Sequence, residues 1–446
     1  MSTRTTQHLP CLTVQADWQK DILDIAQTPK HQASFWLSEY QEGEPAIHGT
    51  IHVKRAPQAL YRLTGKDFPR NLTPLTPLSF AVAPASPGPA PAVRVCAPYR
   101  FTTSSMTGPV RSFDVAPTNP NTIVLGGDHG QMQVIDAAEG GVTRATLRGH
   151  QGDITICRLF PSGQVVLSGA MDGTLRIWSA EDGSNPVVLR GHTAAITDVA
   201  IRGVGRTVLS ASSDGSVRLW ECGTQRELAL WDLSRTVTAE GGSAKPDDQV
   251  CKITLGQSFT GHDPRAGHQG TLCVAVTKNG MIYGLDTSDP SAKPVFAVQS
   301  AGATGDLSAV AFDTDHSLLV VGSDDGLVEY WDTKSMNQPL GSFRRNRASI
   351  HDMVFLGEFA PGRTSLALAT ADGLASVFSI PYSTGANNTL SGPADVYVTH
   401  ELTGTDIDPL YTIRVLPQAS QYLGSSDQPS YPGLAVAGRD TVIKQY

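Results

Sequence analysis

The chain alternates apolar and polar positions over short stretches that small polar residues separate. Residues 165–178, VVLSGAMDGTLRIW, are typical: an apolar stretch leads to an Asp-Gly pair, and a second alternating stretch ends on Trp. Strict alternation predicts β-strands, and Asp-Gly between two such strands predicts a tight hairpin turn. The pattern therefore predicts many short antiparallel strands.

The same strand, turn and strand pattern recurs along most of the chain. Residues 207–220, TVLSASSDGSVRLW, repeat residues 165–178 at a shift of 42 positions. Seven copies are found, with turn positions at His129, Asp172, Asp214, Asn279, Asp325, Asp372 and Asp440. Two of the intervals, 65 and 68 residues, exceed the others and contain many Gly, Ser and Asn residues, which predicts surface-loop insertions.

A period of roughly 40–45 residues with Gly-His and Trp-Asp punctuation resembles the WD-repeat β-propeller, whose blades each have four antiparallel strands. The sequence thus predicts an all-β, seven-bladed WD-repeat propeller. Its last repeat ends on a third strand at Tyr446, so the alternating segment 91–101 is predicted to supply the missing outer strand. That strand would close the ring and cover exposed sheet edges.

The first part of the chain carries no copy of the repeat. Residues 1–83 are predicted to form a small α+β N-terminal domain, residues 84–91 a Pro-rich linker, and residues 92–446 the propeller. A short helix capped near Asp17 follows the first strand of this domain. Trp18, Phe35 and Trp36 are predicted to lie in its core, because so small a domain needs large apolar anchors.

Composition and charge narrow the possible partners. The 446 residues are 40% hydrophobic and 17% charged, with a net charge of −8 that divides into +3 for residues 1–100 and −11 for residues 101–446. Nucleic-acid affinity comes from clustered Lys and Arg, so an acidic propeller argues against a nucleic-acid partner. A basic protein surface fits better.

Cysteine spacing and hydrophobic stretches indicate whether the protein binds a metal or a membrane. The six cysteines are scattered without zinc-like spacing, and no stretch approaches the roughly 18 apolar residues of a membrane span. We therefore expect a soluble intracellular monomer that binds no metal, no cofactor and no membrane.

Two repeats contain the residue types of a hydrolytic triad. His150, Ser168 and Asp172 precede Trp178, and the next repeat has His192, Ser210, Asp214 and Trp220 in the same places. Two copies of a catalytic triad one blade apart would be unusual. In WD repeats these four residues form a structural hydrogen-bond network, and we expect that role for both sets.

Several longer segments are more specific than the repeat. The stretches LFPSGQVVLSGAMDGTLRIWSAEDGS, GRTVLSASSDGSVRLWECG and HELTGTDIDPLYTIRV, with LTVQADWQ and FWLS near the N-terminus, resemble the proteasomal ATPase-associated factor family. The resemblance covers nearly the whole chain apart from the linker and the two insertions. It implies an assembly chaperone of the proteasome regulatory particle, not an enzyme. The propeller would hold the C-terminal domain of one ATPase subunit, the sixth, in the cytoplasm and nucleus.

We use the term entry face for the side of the propeller on which loops enter the innermost strands. Repeat alignment places an acidic set on or near it: Asp153, Asp306 and Asp408 before those strands, Asp198 and Asp352 a few residues later, Asp324 beside a turn, and Glu401 and Asp406 in ELTGTDIDP. Together they would create a negative field that a basic ATPase domain could dock against. Each acid could equally be a solvated turn former.

Two other function classes remain. WD propellers also act as substrate receptors or scaffolds of ubiquitin ligases, which often carry Arg two places after the Trp-Asp pair; here Trp331-Asp332 is followed by Thr333 and Lys334. An enzyme in the central channel would need convergent acids, bases or metal ligands, and the sequence offers no His/Asp pair beyond the two structural sets.

Overall fold

The computed structural model describes residues 6–27, 33–56, 61–235, 248–256, 271–289, 293–382, 395–404, 408–417 and 433–446. Within these residues nearly all regular structure is β-strand, which confirms the all-β prediction. Gly173 and Gly215 follow turn aspartates with φ of +72° and +81°. Glycine adopts this left-handed conformation without a Cβ clash, so the Asp-Gly pairs form the predicted hairpin turns.

The described part of residues 6–103 contains one helix and nine strands. These are β1 (Gln7–His8), β2 (Cys11–Val14), α1 (Trp18–Gln27), β3 (Ala33–Tyr40), β4 (Ile47–Lys54), β5 (Arg62–Lys66), β6 (Leu72–Thr76), β7 (Ser79–Val82), β8 (Val93–Cys96) and β9 (Arg100–Thr103). Strands β2 to β5 form one antiparallel sheet, which we call the N-terminal sheet. Across the described residues, no helix has the length and apolar character needed to cross a membrane.

The remaining described strands, together with β9, form seven blades in chain order, each built from four antiparallel strands. Blades one to four contain β10 (Val110–Ala116), β11 (Asn119–Gly127), β12 (Met132–Asp136), β13 (Val142–Leu147); β14 (Ile154–Leu159), β15 (Val165–Ala170), β16 (Leu175–Ser179), β17 (Val187–Leu189); β18 (Ile196–Arg202), β19 (Thr207–Ser212), β20 (Ser216–Glu221), β21 (Arg226–Asp232); and β22 (Val250–Leu255), β23 (Leu272–Thr277), β24 (Met281–Asp286), β25 (Phe296–Gln299).

Blades five to seven complete the set. They contain β26 (Leu307–Asp313), β27 (Leu318–Ser323), β28 (Leu327–Asp332), β29 (Gly341–Arg344); β30 (Ile350–Ala360), β31 (Arg363–Thr370), β32 (Ala375–Pro381), β33 (Tyr397–Leu402); and β34 (Leu410–Val415), β35 (Leu434–Gly438), β36 (Val442–Gln445) with β9. Short 3-10 turns span Asp128–Gly130 and Leu233–Arg235.

The ring closes through a strand from the N-terminal part of the chain. Strand β9 pairs antiparallel with β36, with Thr102 opposite Ile443, and innermost strand β34 of blade seven contacts β10 of blade one. The predicted closing segment, residues 91–101, is divided in the structure. Its end forms part of β9, whereas β8 pairs in parallel with β33 of blade six, His400 lying opposite Arg94.

Hydrogen bonds from side chains to the backbone connect successive innermost strands. Each innermost strand is the first strand of its sheet, so one of its edges has no ladder partner. Side-chain oxygens of the preceding blade accept from N–H groups on that edge. Ser112 accepts from Cys157, Asp198 from Ile253 and Asp352 from Ile413, each at 3.1 Å, and Asp114 accepts from Leu159 at 2.8 Å. These bonds satisfy buried backbone donors that would otherwise lack partners.

The carbonyl groups of the same edges are also satisfied. Thr197 donates to the Val250 carbonyl at 2.8 Å, and Ser308 donates to the Ile350 carbonyl at 2.6 Å. Both donors are the extra residue of a β-bulge, and a bulge occurs at this second position in all seven innermost strands of the described chain. The bulge turns a side chain toward the next blade.

The N-terminal elements join the outer edges of two blades. Strand β1 pairs in parallel with β29 of blade five, and β6, β7 and β8 extend the sheet of blade six. Residues 84–91, predicted to link separate domains, instead connect the antiparallel strands β7 and β8 of one sheet. Whether residues 1–83 and 92–446 can fold independently stays a prediction.

The N-terminal core is only partly as predicted. Trp18 and Phe35 are 0% and 1% exposed and pack with Phe80 of β7. Trp36 is 47% exposed, so its predicted place in the core is wrong. Successive residues of a strand point to opposite faces, and Phe35 and Leu37 already occupy the core side of β3.

We expect that removing residues 1–103 lowers the melting temperature of the propeller more than removing residues 1–98. Both deletions remove the N-terminal sheet, but only the longer one removes β9 and leaves the outer edge of β36 unpaired. Thermal unfolding followed by circular dichroism measures the difference. Equal melting temperatures would contradict a closing role for β9.

Candidate functional site

The first triad-like set forms one hydrogen-bond network inside blade two. The His150 Nε2 atom lies 2.7 Å from Ser168 Oγ, and its Nδ1 atom lies 3.0 Å from Asp172 Oδ2. The Trp178 indole N–H donates to the same Ser168 oxygen at 2.8 Å. Every polar atom of the imidazole and indole therefore has a partner within the blade.

Blade three repeats this geometry. His192 lies 2.7 Å from Ser210 Oγ and 2.9 Å from Asp214 Oδ2, and the Trp220 indole donates to Ser210 at 2.8 Å. Each turn carboxylate also accepts from the backbone N–H that follows its histidine, Gln151 in one blade and Thr193 in the other. The two sets thus tie an entry-face loop to a hairpin turn in the same way.

The charge states follow from burial and hydrogen bonding. Burial lowers the pKa of His150, which favours the neutral imidazole. Burial acts to raise the pKa of Asp172, but bonds from Gln151, Thr174 and His150 outweigh it and bring that pKa to about 2. The pair therefore consists of a neutral histidine and a carboxylate at neutral pH.

This arrangement has no room for acyl-transfer chemistry. The Ser168 side chain is 0% exposed, and its oxygen already contacts both an imidazole and an indole N–H. A nucleophile needs an approach path for the substrate carbonyl and an oxyanion site beside it. The geometry instead suits a structural role.

Later blades keep the turn carboxylate but change its donors. In blade five, Asp325 accepts from Ser323, Thr304 and Arg344. In blade six, Asp372 accepts from Asn346 and Thr370. The turn is thus capped in blades without histidine, which repeat alignment alone does not show.

The acids predicted to bind a partner fall into three groups, and the first lies in the channel wall. Asp198 is 4% exposed, whereas Asp352 is half-buried. Burial raises the pKa of the Asp352 carboxyl to about 6, against the opposing effects of Lys252 and Arg158. Both accept from the next blade's backbone, as described above, and Asp352 also pairs with Arg414 at 2.5 Å. The predicted place of Asp198 on the docking surface is wrong, because its side chain is buried against the neighbouring blade. A docking role for Asp352 stays a prediction, and its carboxylate already accepts from Ile413 and pairs with Arg414.

The second group consists of Glu401, for which the prediction is also wrong. Its carboxylate is 2% exposed, accepts from the Leu12 N–H at 3.1 Å and from Ser376 Oγ at 3.0 Å, and forms an ion pair with Arg345. It lies on β33, which β8 and the N-terminal segment cover. Repeat alignment could not reveal this contact, because Leu12 and Glu401 are 389 positions apart.

The third group remains near the surface of the entry face. Asp324 is exposed, while Asp153, Asp306 and Asp408 are half-buried. Asp153 accepts from the His129 N–H at 2.8 Å and lies 3.6 Å from Arg111, so part of its charge is already matched. Asp406 lies outside the described residues.

Asp306 and Asp324 lie side by side at the entry-face end of blade five, where Asp306 precedes β26 and Asp324 follows β27. The Asp324 N–H donates to the Asp306 carbonyl at 2.9 Å, and Asp325 follows. The pKa of the Asp324 carboxyl is raised by partial burial and then by the charges of Asp306 and Asp325. These three residues, which we call the acidic triplet, repel one another at neutral pH.

Sequence reasoning missed the joint between the N-terminal segment and blade six. The Trp18 indole N–H donates to Thr403 Oγ1 at 3.0 Å, and Thr403 in turn donates to the Cys96 carbonyl at 3.0 Å. Gln7 forms two hydrogen bonds with the backbone of Val396. Trp18 and Thr403 both lie in the family-like segments, and this was the one sequence signal that pointed to the contact.

Comparison with known proteins agrees with the repeat architecture. The model of the WD domain, G-beta repeat, matches residues 141–179, 183–221 and 295–332. Each match begins just before the outer strand of one blade and ends on the third strand of the next. A stretch of 70 residues is 34% identical to Pre-mRNA-processing factor 19 of Bos taurus and of Homo sapiens. It spans 16% of this chain and only 14% of the length of those relatives.

The chain is therefore a WD-repeat protein with an all-β propeller fold. Proteins that carry this repeat are generally non-enzymatic scaffolds for protein–protein interaction. Such a fold hosts many unrelated partners, so the choice of partner depends on particular surfaces.

We expect Ser168→Ala and His150→Ala each to lower the free energy of unfolding by roughly 1–3 kcal/mol, because buried partners lose their hydrogen bonds. Ser162→Ala, at an exposed turn of the same blade, is the matched control and should change little. Chemical denaturation measures all three. Equal free energies of unfolding for Ser168→Ala and Ser162→Ala would show that the network does not stabilise the fold.

We expect Glu401→Leu to lower the free energy of unfolding by roughly 3–5 kcal/mol, because Arg345 then stays buried without its partner. Adding Arg345→Met should restore part of the loss, since no unpaired charge remains. Glu42→Leu, which removes the exposed partner of Arg347, should have little effect. A double variant less stable than Glu401→Leu alone would refute this account.

Proposed function

We propose that this protein is an assembly chaperone that binds the C-terminal domain of a proteasomal ATPase subunit, the sixth by family resemblance, and promotes ordered assembly of the regulatory-particle base. The family-like segments support this partner, and the WD-repeat propeller supports a binding function. In this proposal the propeller shields its client until the next assembly partner arrives.

The observation that carries the proposal is the acidic triplet. Asp306, Asp324 and Asp325 lie together on the entry face, and repulsion among them contributes to the raised pKa of Asp324. Arg344 pairs with Asp325 at 2.8 Å and offsets only part of this charge. A Lys or Arg side chain from a partner would relieve the repulsion, so docking a basic domain here is electrostatically favourable.

The other surface acids add to the same field. Asp408 lies ahead of β34, and Asp153 ahead of β14, both on the entry face. Asp153 contributes less, because Arg111 already lies near it. The contribution of Asp406 rests on its sequence position alone. A surface of one charge sign accelerates association with a basic partner and makes it sensitive to salt.

The test reverses charge on the entry face and, as a control, on the opposite face. We expect Asp306→Lys with Asp324→Lys to weaken binding to an isolated ATPase C-terminal domain about tenfold or more and to flatten its salt dependence. Glu139→Lys with Glu181→Lys makes the same change in net charge at exposed loops between third and fourth strands, and should leave affinity nearly unchanged.

Calorimetric titrations with each of the ATPase C-terminal domains, at low and at high salt, measure these effects. Melting temperatures establish that all variants are folded. The proposal fails if both pairs of reversals weaken binding equally, or if the unaltered protein binds none of the domains.

A further inference from the structure

Only one of the two faces of the N-terminal sheet is covered by other parts of the chain. Phe35, Leu37, Ile51 and Val53 point to the core beneath α1 and are at most 1% exposed. The alternate positions point the other way and are mostly exposed: Ser34, Trp36 and Tyr40 on β3, His48, Thr50 and Lys54 on β4, and Arg62, Thr64 and Lys66 on β5. We call this second surface the outer face.

Two aromatic residues stand on the outer face. Trp36 is 47% exposed, whereas each of the other five tryptophans is at most 5% exposed. Tyr40 is 43% exposed and packs edge-on against His48, with ring centroids 5.5 Å apart. Exposed aromatic side chains of this kind are costly to leave in water and are enriched at binding surfaces.

The outer face also carries unpaired positive charge. Lys54 on β4 lies directly opposite Arg62 on β5, and Lys66 lies opposite Thr50, which in turn lies opposite Trp36. Like charges in directly opposite positions destabilise a sheet. Among the described residues, none of the ion pairs involves Lys54, Arg62 or Lys66.

We propose that the outer face binds an acidic segment of a partner protein, with Trp36 as the apolar anchor and Lys54, Arg62 and Lys66 as the groups that meet its carboxylates. An acidic ligand would remove the repulsion between Lys54 and Arg62. Binding of an acidic segment would therefore offset an electrostatic repulsion that the fold contains on its own.

A peptide fits this surface better than a nucleic acid does. Single-stranded nucleic acids follow an extended basic track with several stacking platforms. Here only Lys54 and Arg62 lie directly opposite each other, and Lys66 lies at the other end of the short strand β5. Glu42 and Glu44 follow in the loop between β3 and β4, beyond the Lys66 end of the strands. Those carboxylates would repel a continuing phosphate backbone but not a short acidic segment.

The outer face differs from the entry face in its position on the molecule and in the sign of its charge. Its ligand is acidic, whereas the entry face is proposed to take a basic domain. The two surfaces can therefore be tested separately, and failure of one leaves the other standing.

Acrylamide quenching of tryptophan fluorescence gives a direct measure, because Trp36 is the exposed member of the six. Trp36→Phe assigns the quenchable component. The probe is a short synthetic peptide of Glu and Asp with one central Leu, added to the full-length protein. We expect the peptide to protect Trp36 from acrylamide, more strongly at low than at high salt.

Lys54→Glu separates binding from stability. It replaces the repulsive pair with an attractive one across the strands, so the melting temperature should stay the same or rise. Peptide affinity should nevertheless fall about tenfold or more. Lys20→Glu, an equal change of charge at an exposed position of helix α1, is the control and should retain affinity.

Four results would overturn the proposal. The acidic peptide could fail to protect Trp36, or Lys54→Glu and Lys20→Glu could weaken binding equally. A thymidine oligonucleotide could protect Trp36 as well as the peptide does, which would indicate a nucleic-acid surface. Sedimentation at low salt could show that the protection comes from self-association with the acidic propeller of a second copy.

Discussion

The propeller depends on hydrogen bonds between a side chain of one innermost strand and the backbone of the next. An innermost strand has no ladder partner on its inner edge, so its N–H and C=O groups would be buried unsatisfied. Ser112, Asp198 and Asp352 accept from those N–H groups, and bulge residues such as Thr197 donate to the carbonyls. This requirement explains why carboxylates occur in the channel wall.

The outer edges obey the same constraint but meet it differently. Blades five, six and seven receive additional strands from the N-terminal part of the chain: β1, β8 and β9. Glu401 anchors this cover by accepting from Leu12 while it pairs with Arg345. The N-terminal segment thus completes the second half of the ring. Its core is continuous with the core of the extended blade-six sheet.

Sequence reasoning succeeded where the signal was local and repeated. Asp-Gly turns and alternation predicted the strands, and the shift from His150 to His192 predicted two equal hydrogen-bond sets. It failed where contacts join distant segments: Glu401 looked like a surface acid because nothing near it in sequence shows Leu12. Asp198 and Trp36 were misplaced for another reason, since a period of two leaves open which face of a strand is covered.

The pairing of β9 with β36 also decides when the protein can finish folding. Tyr99 and Gln445, which meet at this joint, are separated by 346 positions. At a synthesis rate of roughly 5–20 residues per second, the N-terminal strands wait about 20 to 70 seconds before their partners leave the ribosome. During that interval their edges are open to mispairing, and a chain whose synthesis stops early has no means of closing. The ring therefore cannot close until residues 442–445 have been synthesised.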